Sequence, residues 1–249
     1  MKNCNFKLLV WRQKGPQEPG KMVAYTVNDI SPDMSFLEMM DLLNEDLIKK
    51  GEDPIAIDSD CREGICGTCG LVIQGLAHGS KQKTCTCQIY MRDFKDGETI
   101  TVEPFRSSAF PIIKDLVVNR SALDRIISKG GYVANNIGGA PDANAMPISK
   151  ETAELALDAS SCIGCGACVA ACPNSSAALF TGAKISQYAH LPQGSPDRKK
   201  RVLEMAQQMD KEGFGNCSNH GECEAVCPQG IKISHIAKMR REFFKASLL

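Results

Sequence analysis

Nowhere in this sequence is there an apolar run of the about 18 residues that a membrane-crossing helix needs. The opening stretch MKNCNFKLLVWRQ has too short an apolar core for a secretory signal and lacks a small-residue cleavage site. Both absences point to a cytosolic chain, in which thiols stay reduced. Charge of one sign is missing too. The 29 Lys and Arg are matched by 29 Asp and Glu, so there is no basic surplus to hold nucleic acid. Aromatic residues are scarce at 6%, with Trp11 the one tryptophan. No dinucleotide-binding glycine loop and no nucleophile–base pair can be picked out, which argues against bond-making chemistry by this chain alone.

What the sequence does have is cysteine. It holds 13 in 249 residues, an odd number, and they are bunched: five in 61–87, four in 162–172 and three in 217–227. A reduced protein with bunched thiols is read as a metal protein and not as a disulfide framework. The composition is otherwise that of a globular chain with a real core, 43% hydrophobic and 23% charged.

Hydrophobic periodicity divides the chain near residue 110. FKLLVWRQ (6–13), MVAYTVNDI (22–30) and TITVEPF (99–105) read as strands, and SFLEMMDLLNEDLIKKG (35–51) as a helix. From Pro111 the period becomes helical. PIIKDLVVNRSALDRIISKGG is expected to form one amphipathic helix, followed by a Gly/Pro/Asn-rich connector at 138–149. Further helices are expected over 150–158, 175–188, 197–212 and 232–246. The expectation is an α+β chain, with a β-rich part at 1–110 and a helical part at 111–249.

The first cysteine set is Cys61, Cys66 and Cys69 within CREGICGTCG, the C-x4-C-x2-C spacing of plant-type 2Fe–2S centres. Gly64, Gly67 and Gly70 let the backbone wrap a small anionic cluster closely. Cys85 and Cys87 both qualify as the fourth ligand. The second set, Cys162, Cys165, Cys168 and Cys172 followed by Pro173, has bacterial-ferredoxin spacing, in which the fourth cysteine serves a second cluster. Zinc sites favour separated C-x2-C pairs. The third set, Cys217, Cys223 and Cys227 followed by Pro228, repeats that frame with His220 at its second position. Crossing the fourth cysteines groups Cys162, Cys165, Cys168 and Cys227 for a 4Fe–4S cluster. Cys172, Cys217 and Cys223 remain, three thiolates suited to 3Fe–4S, with a histidine-ligated 4Fe–4S cluster as the alternative.

CREGICGTCG, CQIYMRDF, CIGCGACVAACP and CSNHGECEAVCPQGI together resemble the iron–sulfur subunits of succinate dehydrogenases and fumarate reductases, over nearly the whole chain. The resemblance implies a plant-type ferredoxin fold of the β-grasp kind, then an all-α domain like the bacterial ferredoxins. In that family the fourth 2Fe–2S ligand lies five residues before an Arg-Asp-aromatic triplet. Here the triplet is Arg92-Asp93-Phe94, which selects Cys87. The implied role is that of a non-catalytic electron-transfer subunit, relaying between the FAD of a flavoprotein subunit and a quinone near the 3Fe–4S cluster. The quinone would lie at a membrane-anchor cytochrome b subunit, with the chain held peripherally on the cytoplasmic side of the inner membrane. The adaptor subunit of another respiratory flavin dehydrogenase, or of a heterodisulfide-reductase-like complex, is the other reading.

Many ubiquinone-reducing relatives carry a tryptophan and a histidine where this chain has Ala177 and Ser218. That departure, with NNIGGAPDANAMPI and CPNSSAALFTGAKISQYAHLPQG, resembles the branch with a diheme (haem b) anchor that generally uses menaquinone. Other features have plainer readings. Cys4 is expected in a strand, and His78, His190 and His235 at the surface or as caps. PDRKKR (196–201) is expected to be the solvated start of a helix, and the amphipathic C-terminus to pack on the core or dock a partner.

Overall fold

The computed structural model describes residues 3–133, 142–144 and 148–248. Most of the 138–149 connector, and of NNIGGAPDANAMPI, lies outside the described residues.

Alternation in the first strands produces a sheet with one buried face. Strand β1 (Cys4–Arg12) buries Phe6, Leu8 and Val10 and pairs antiparallel with β2 (Lys21–Ile30). Helix α1 (Phe36–Lys49) starts at a capping box: Ser35 Oγ accepts from the Glu38 N–H, and the Glu38 carboxylate accepts from the Ser35 N–H. It lays Phe36, Met39, Met40, Leu43 and Leu47 on the sheet. Strands β3 (Leu71–Ile73), β4 (Leu76–Ala77) and β5 (Thr99–Pro104) complete the order β2-β1-β5-β3-β4. Because β1 and β5 are parallel, the chain between them must cross over. That crossover carries α1 and all the cysteines from 61 to 87, and packs Cys69, Cys85 and Cys87 against Leu37 of α1.

The helix expected over 111–131 is only half present. Residues Ile112–Lys114 (β6) and Val117–Val118 (β7) form a hairpin, and helix α2 covers only Ser121–Ser128. Asp115 decides this. It sits at the turn with φ 47° and its side chain is buried. Its carboxylate accepts from Arg12 Nε, the Gln13 N–H and the Ala56 N–H at 2.9–3.0 Å. A buried donor left without its acceptor is destabilising by about 1–3 kcal/mol, so these bonds outweigh the helical period of the segment.

The rest of the described chain is helical: α3 (Lys150–Ser160), α4 (Ala167–Ala170), α5 (Ala178–His190), α6 (Arg198–Lys211), α7 (Glu222–Ala225) and α8 (Ser234–Leu248). Their core joins Leu179, Phe180, Ala183 and Ile185 of α5 to Val202 and Met205 of α6 and to Ile236 and Met239 of α8. Phe105 and Phe110, which follow β5, pack into this core. One side of α8 faces inward, while Phe243, Phe244 and Leu248 are exposed. Among the described residues no helix is long and apolar enough to cross a membrane.

Two expectations fail on burial. PDRKKR is not wholly solvated. Arg201 is 2% exposed, donates to the carbonyls of Gly130, Gly194 and Tyr132, and lies over the Tyr188 ring. His78 and His235 are buried, not at the surface. His235 Nδ1 pairs with Ser186 Oγ at 2.9 Å. His78 stands edge-on to Phe105, and its Nδ1 accepts from the Thr86 N–H, which leaves Nε2 without a partner.

Candidate metal centres

The first cysteine loop turns on three left-handed residues: Arg62 (φ 55°), Gly64 (φ 75°) and Gly67 (φ 74°). These reversals aim backbone N–H groups at sulfur, as an anionic cluster requires. The Glu63 and Cys66 N–H groups lie 3.3 Å from Cys61 Sγ, and the Thr68 N–H and hydroxyl reach Cys66 Sγ at 3.5 and 3.1 Å. Burial pushes the Cys66 thiol up, but the bonds from Thr68 and Cys61 more than offset it and bring it down to about 7.

Cys85 and Cys87 flank Thr86, in and just before a single tight turn (Thr86–Gln88), and both are buried with Cys69 beneath Leu37 of α1. Their partners differ. Burial pushes the Cys69 thiol up to about 12, with the Cys87 backbone opposing and the Cys87 thiol adding to the rise. The Cys85 thiol instead donates to the Gly64 carbonyl at 3.6 Å and is raised by burial and by the surrounding cysteines. Gln88 ties this segment to the first loop through the Arg62 carbonyl.

The other two loops are built alike, 55 positions apart. Gly166 (φ 87°) and Gly221 (φ 94°) open the single-turn helices α4 and α7. Cys172 N–H donates to Val169 O just as Cys227 N–H donates to Glu224 O. In that shared backbone His220 stands where Cys165 stands in the other loop.

Each loop contributes to two cavities. One is lined by Cys162, Cys165, Cys168 and Cys227, with a volume of about 20 Å³. The other, also of about 20 Å³, is lined by Cys172, Cys217 and Cys223, with exposed His220 at its edge. Burial, then neighbouring thiolates, raises Cys162, Cys165 and Cys168, with Cys165 at about 12. Cys223 is raised by burial and then by Cys217 and Cys172. Crowded, desolvated thiols are hard to ionise on their own, and a cationic iron core removes that penalty. Among the described residues no three of His, Cys, Asp or Glu converge on a point that suits a single ion. The thiols surround voids, so the donor sets fit polynuclear clusters better than one zinc.

Spacing alone does not reveal what joins these sites. Gln229, after the third loop, donates to the Gly64 carbonyl of the first at 3.0 Å. Arg120, just before α2, donates to the carbonyls of Gly67 and Cys165. A methyl group on Gly67 would sit 2.6 Å from Ile163 O, so the first two loops are in backbone contact. The signal for Gly67 was the glycine in CGTC. For Arg120 and Gln229 the sequence carried none.

Residues 7–125 match the family described as 2Fe-2S iron-sulfur cluster binding domain, and residues 158–231 the 4Fe-4S dicluster domain. The succinate dehydrogenase iron-sulfur subunit of Bacillus subtilis is 30% identical over 82% of this chain and 79% of its own length. The fumarate reductase iron-sulfur subunit of Escherichia coli O6:H1 is 30% identical over 69% of this chain and 66% of its own. Among solved structures, a chain of the Mycobacterium smegmatis Sdh1 complex in the apo form superposes with TM-score 0.73 at 25% identity. The match covers 99% of this chain and 98% of that one.

Proposed function

This chain belongs to the family of succinate dehydrogenase and fumarate reductase iron–sulfur subunits, and from that premise we propose how its residues serve an electron relay. The observation that carries the reading is the gathering of thiols into three adjoining sets, two of them sharing loops.

Cys61, Cys66, Cys69 and Cys87 hold a 2Fe–2S cluster, with Cys85 kept as a protonated neighbour by its bond to Gly64 O. Cys162, Cys165, Cys168 and Cys227 hold a 4Fe–4S cluster. Cys172, Cys217 and Cys223 hold a 3Fe–4S cluster, and His220 marks the corner where no thiolate is offered. Bound there, the clusters supply one-electron carriers of unlike potential. The polypeptide spaces them, excludes water through Leu37, Ile163 and Phe180, and supplies the N–H groups that tune them.

The division into 1–110, a β-grasp ferredoxin part, and 111–249, a helical ferredoxin part, remains our reading. So does a subunit that performs no bond chemistry itself. Its partners are a flavoprotein carrying FAD and a cytochrome b membrane anchor carrying haem b. A quinone, menaquinone by the departures at Ala177 and Ser218, is reduced or oxidised near the third site. The chain lies peripherally on the cytoplasmic side of the inner membrane.

Electron paramagnetic resonance of the purified complex tests this. A 3Fe–4S signal is expected in the air-oxidised sample and a 2Fe–2S signal after mild reduction. An intact complex that turns over neither succinate nor fumarate refutes the assignment.

A further inference from the structure

We propose that Arg120 is a positioning residue of the relay, pinning the first cysteine loop to the second and setting the potentials of the two clusters those loops hold. The proposal rests on the cysteine assignments above and goes beyond them, since Arg120 is no ligand.

Its placement is specific. Arg120 occupies the residue before α2, and that helix is anchored in the core by Leu123 and Ile126. One guanidinium nitrogen donates to Gly67 O, between Cys66 and Cys69, and to Cys165 O, inside the second set. Two glycines make room for this. Gly67 lets the two backbones touch, and a methyl group on Gly166 would lie 2.9 Å from the Phe110 ring and 3.6 Å from Arg120 Cδ. The same cleft is lined by Cys66 and Cys162, one from each set, with Asp124 and Lys184 beside them.

Both bonds end on neutral carbonyls, so neither cancels the fixed charge of the guanidinium. Net charge and hydrogen bonding near a cluster set its reduction potential, and a nearby cation favours the reduced, more negative state. Arg120 does not line the cavity of Cys172, Cys217 and Cys223.

The test is a redox titration of the whole purified complex, followed by electron paramagnetic resonance, for wild type, Arg120→Gln, Arg120→Met and Arg120→Lys. Removing the charge is expected to shift the midpoint potentials of the 2Fe–2S and 4Fe–4S clusters downward and leave the third cluster where it was. Arg120→Lys is expected to restore most of that shift. Unshifted potentials with intact signals overturn the proposal, as do equal shifts in the lysine and neutral variants, or a shift confined to the third cluster. Should the neutral variants lose their clusters, retention by the lysine variant supports a requirement for charge. Loss in all three overturns it, because packing alone then suffices. A wild-type complex without 2Fe–2S and 4Fe–4S signals would instead refute the cysteine assignments.

Discussion

Two glycines of one loop provide a controlled test of how the first and second sites are joined. Gly64 and Gly67 have nearly the same backbone, φ 75° and 74°. An alanine at either position carries the left-handed penalty of about 1–2 kcal/mol. Their surroundings differ. At Gly64 the new methyl group would meet Gln88 Cγ at 3.5 Å and Cys85 Sγ at 3.9 Å, ordinary contact distances. At Gly67 it would meet Ile163 O at 2.6 Å and the Cys165 backbone at 3.1 Å, and none of these atoms can swing aside. Overpacking of that kind adds about 1–3 kcal/mol. Gly64→Ala should therefore destabilise by about 1–2 kcal/mol and Gly67→Ala by about 2–5 kcal/mol. For a chain of this size the losses correspond to roughly 2–8 °C and roughly 4–20 °C in the apparent midpoint. Thermal bleaching of the visible cluster absorbance in the purified complex measures both, with iron per chain as the second readout. Equal losses at the two positions, or a larger one at Gly64, would refute the contact between the loops.

His220→Cys restores a fourth thiol to the third cavity. It is expected to remove the oxidised 3Fe–4S signal, to give an additional 4Fe–4S signal on reduction, and to lower the potential of that site, which a redox titration reads directly. Cys87→Ser is expected to abolish the 2Fe–2S signal and Cys85→Ser to spare it; the reverse pattern would exchange their roles. Glu242 of α8 is buried and held below its usual range by hydrogen bonds from Arg198, which outweigh burial, and by Lys238. A depressed carboxyl contributes stability above its unfolded value near 4.5, and that contribution fades as the pH falls toward the lower folded value. Glu242→Gln should thus be less stable than wild type at neutral pH, and the denaturation curves should converge only as the pH falls from 4.5 through the lower folded value.

What could be read from the residues alone was whatever chemistry is local. Thiols spaced by two or four residues are held near one another by the chain itself, so the three sets, their likeness to ferredoxin loops and the odd histidine were legible without a fold. The strands at 6–13 and 22–30 and the helices of the second half were legible for the same reason, since their periods repeat within a few residues. The segment 111–131 was misread because its decisive contacts are remote: Asp115 answers to Arg12, 103 residues away. Arg201 reads as a surface charge until the carbonyls of Gly130 and Tyr132, some 70 residues away, surround it. His78 likewise acquires its burial from Thr86 and Phe105.

The cysteine pattern by itself determined where thiols gather, because covalent spacing restricts where a thiol can go. Only the tertiary structure decided which sets touch. Gly67 meets Ile163, Gln229 meets Gly64, and Arg120 spans the first two loops, each across 45 or more residues of chain. Such contacts are selected by packing of the two cores and not by local propensity, so no motif announces them.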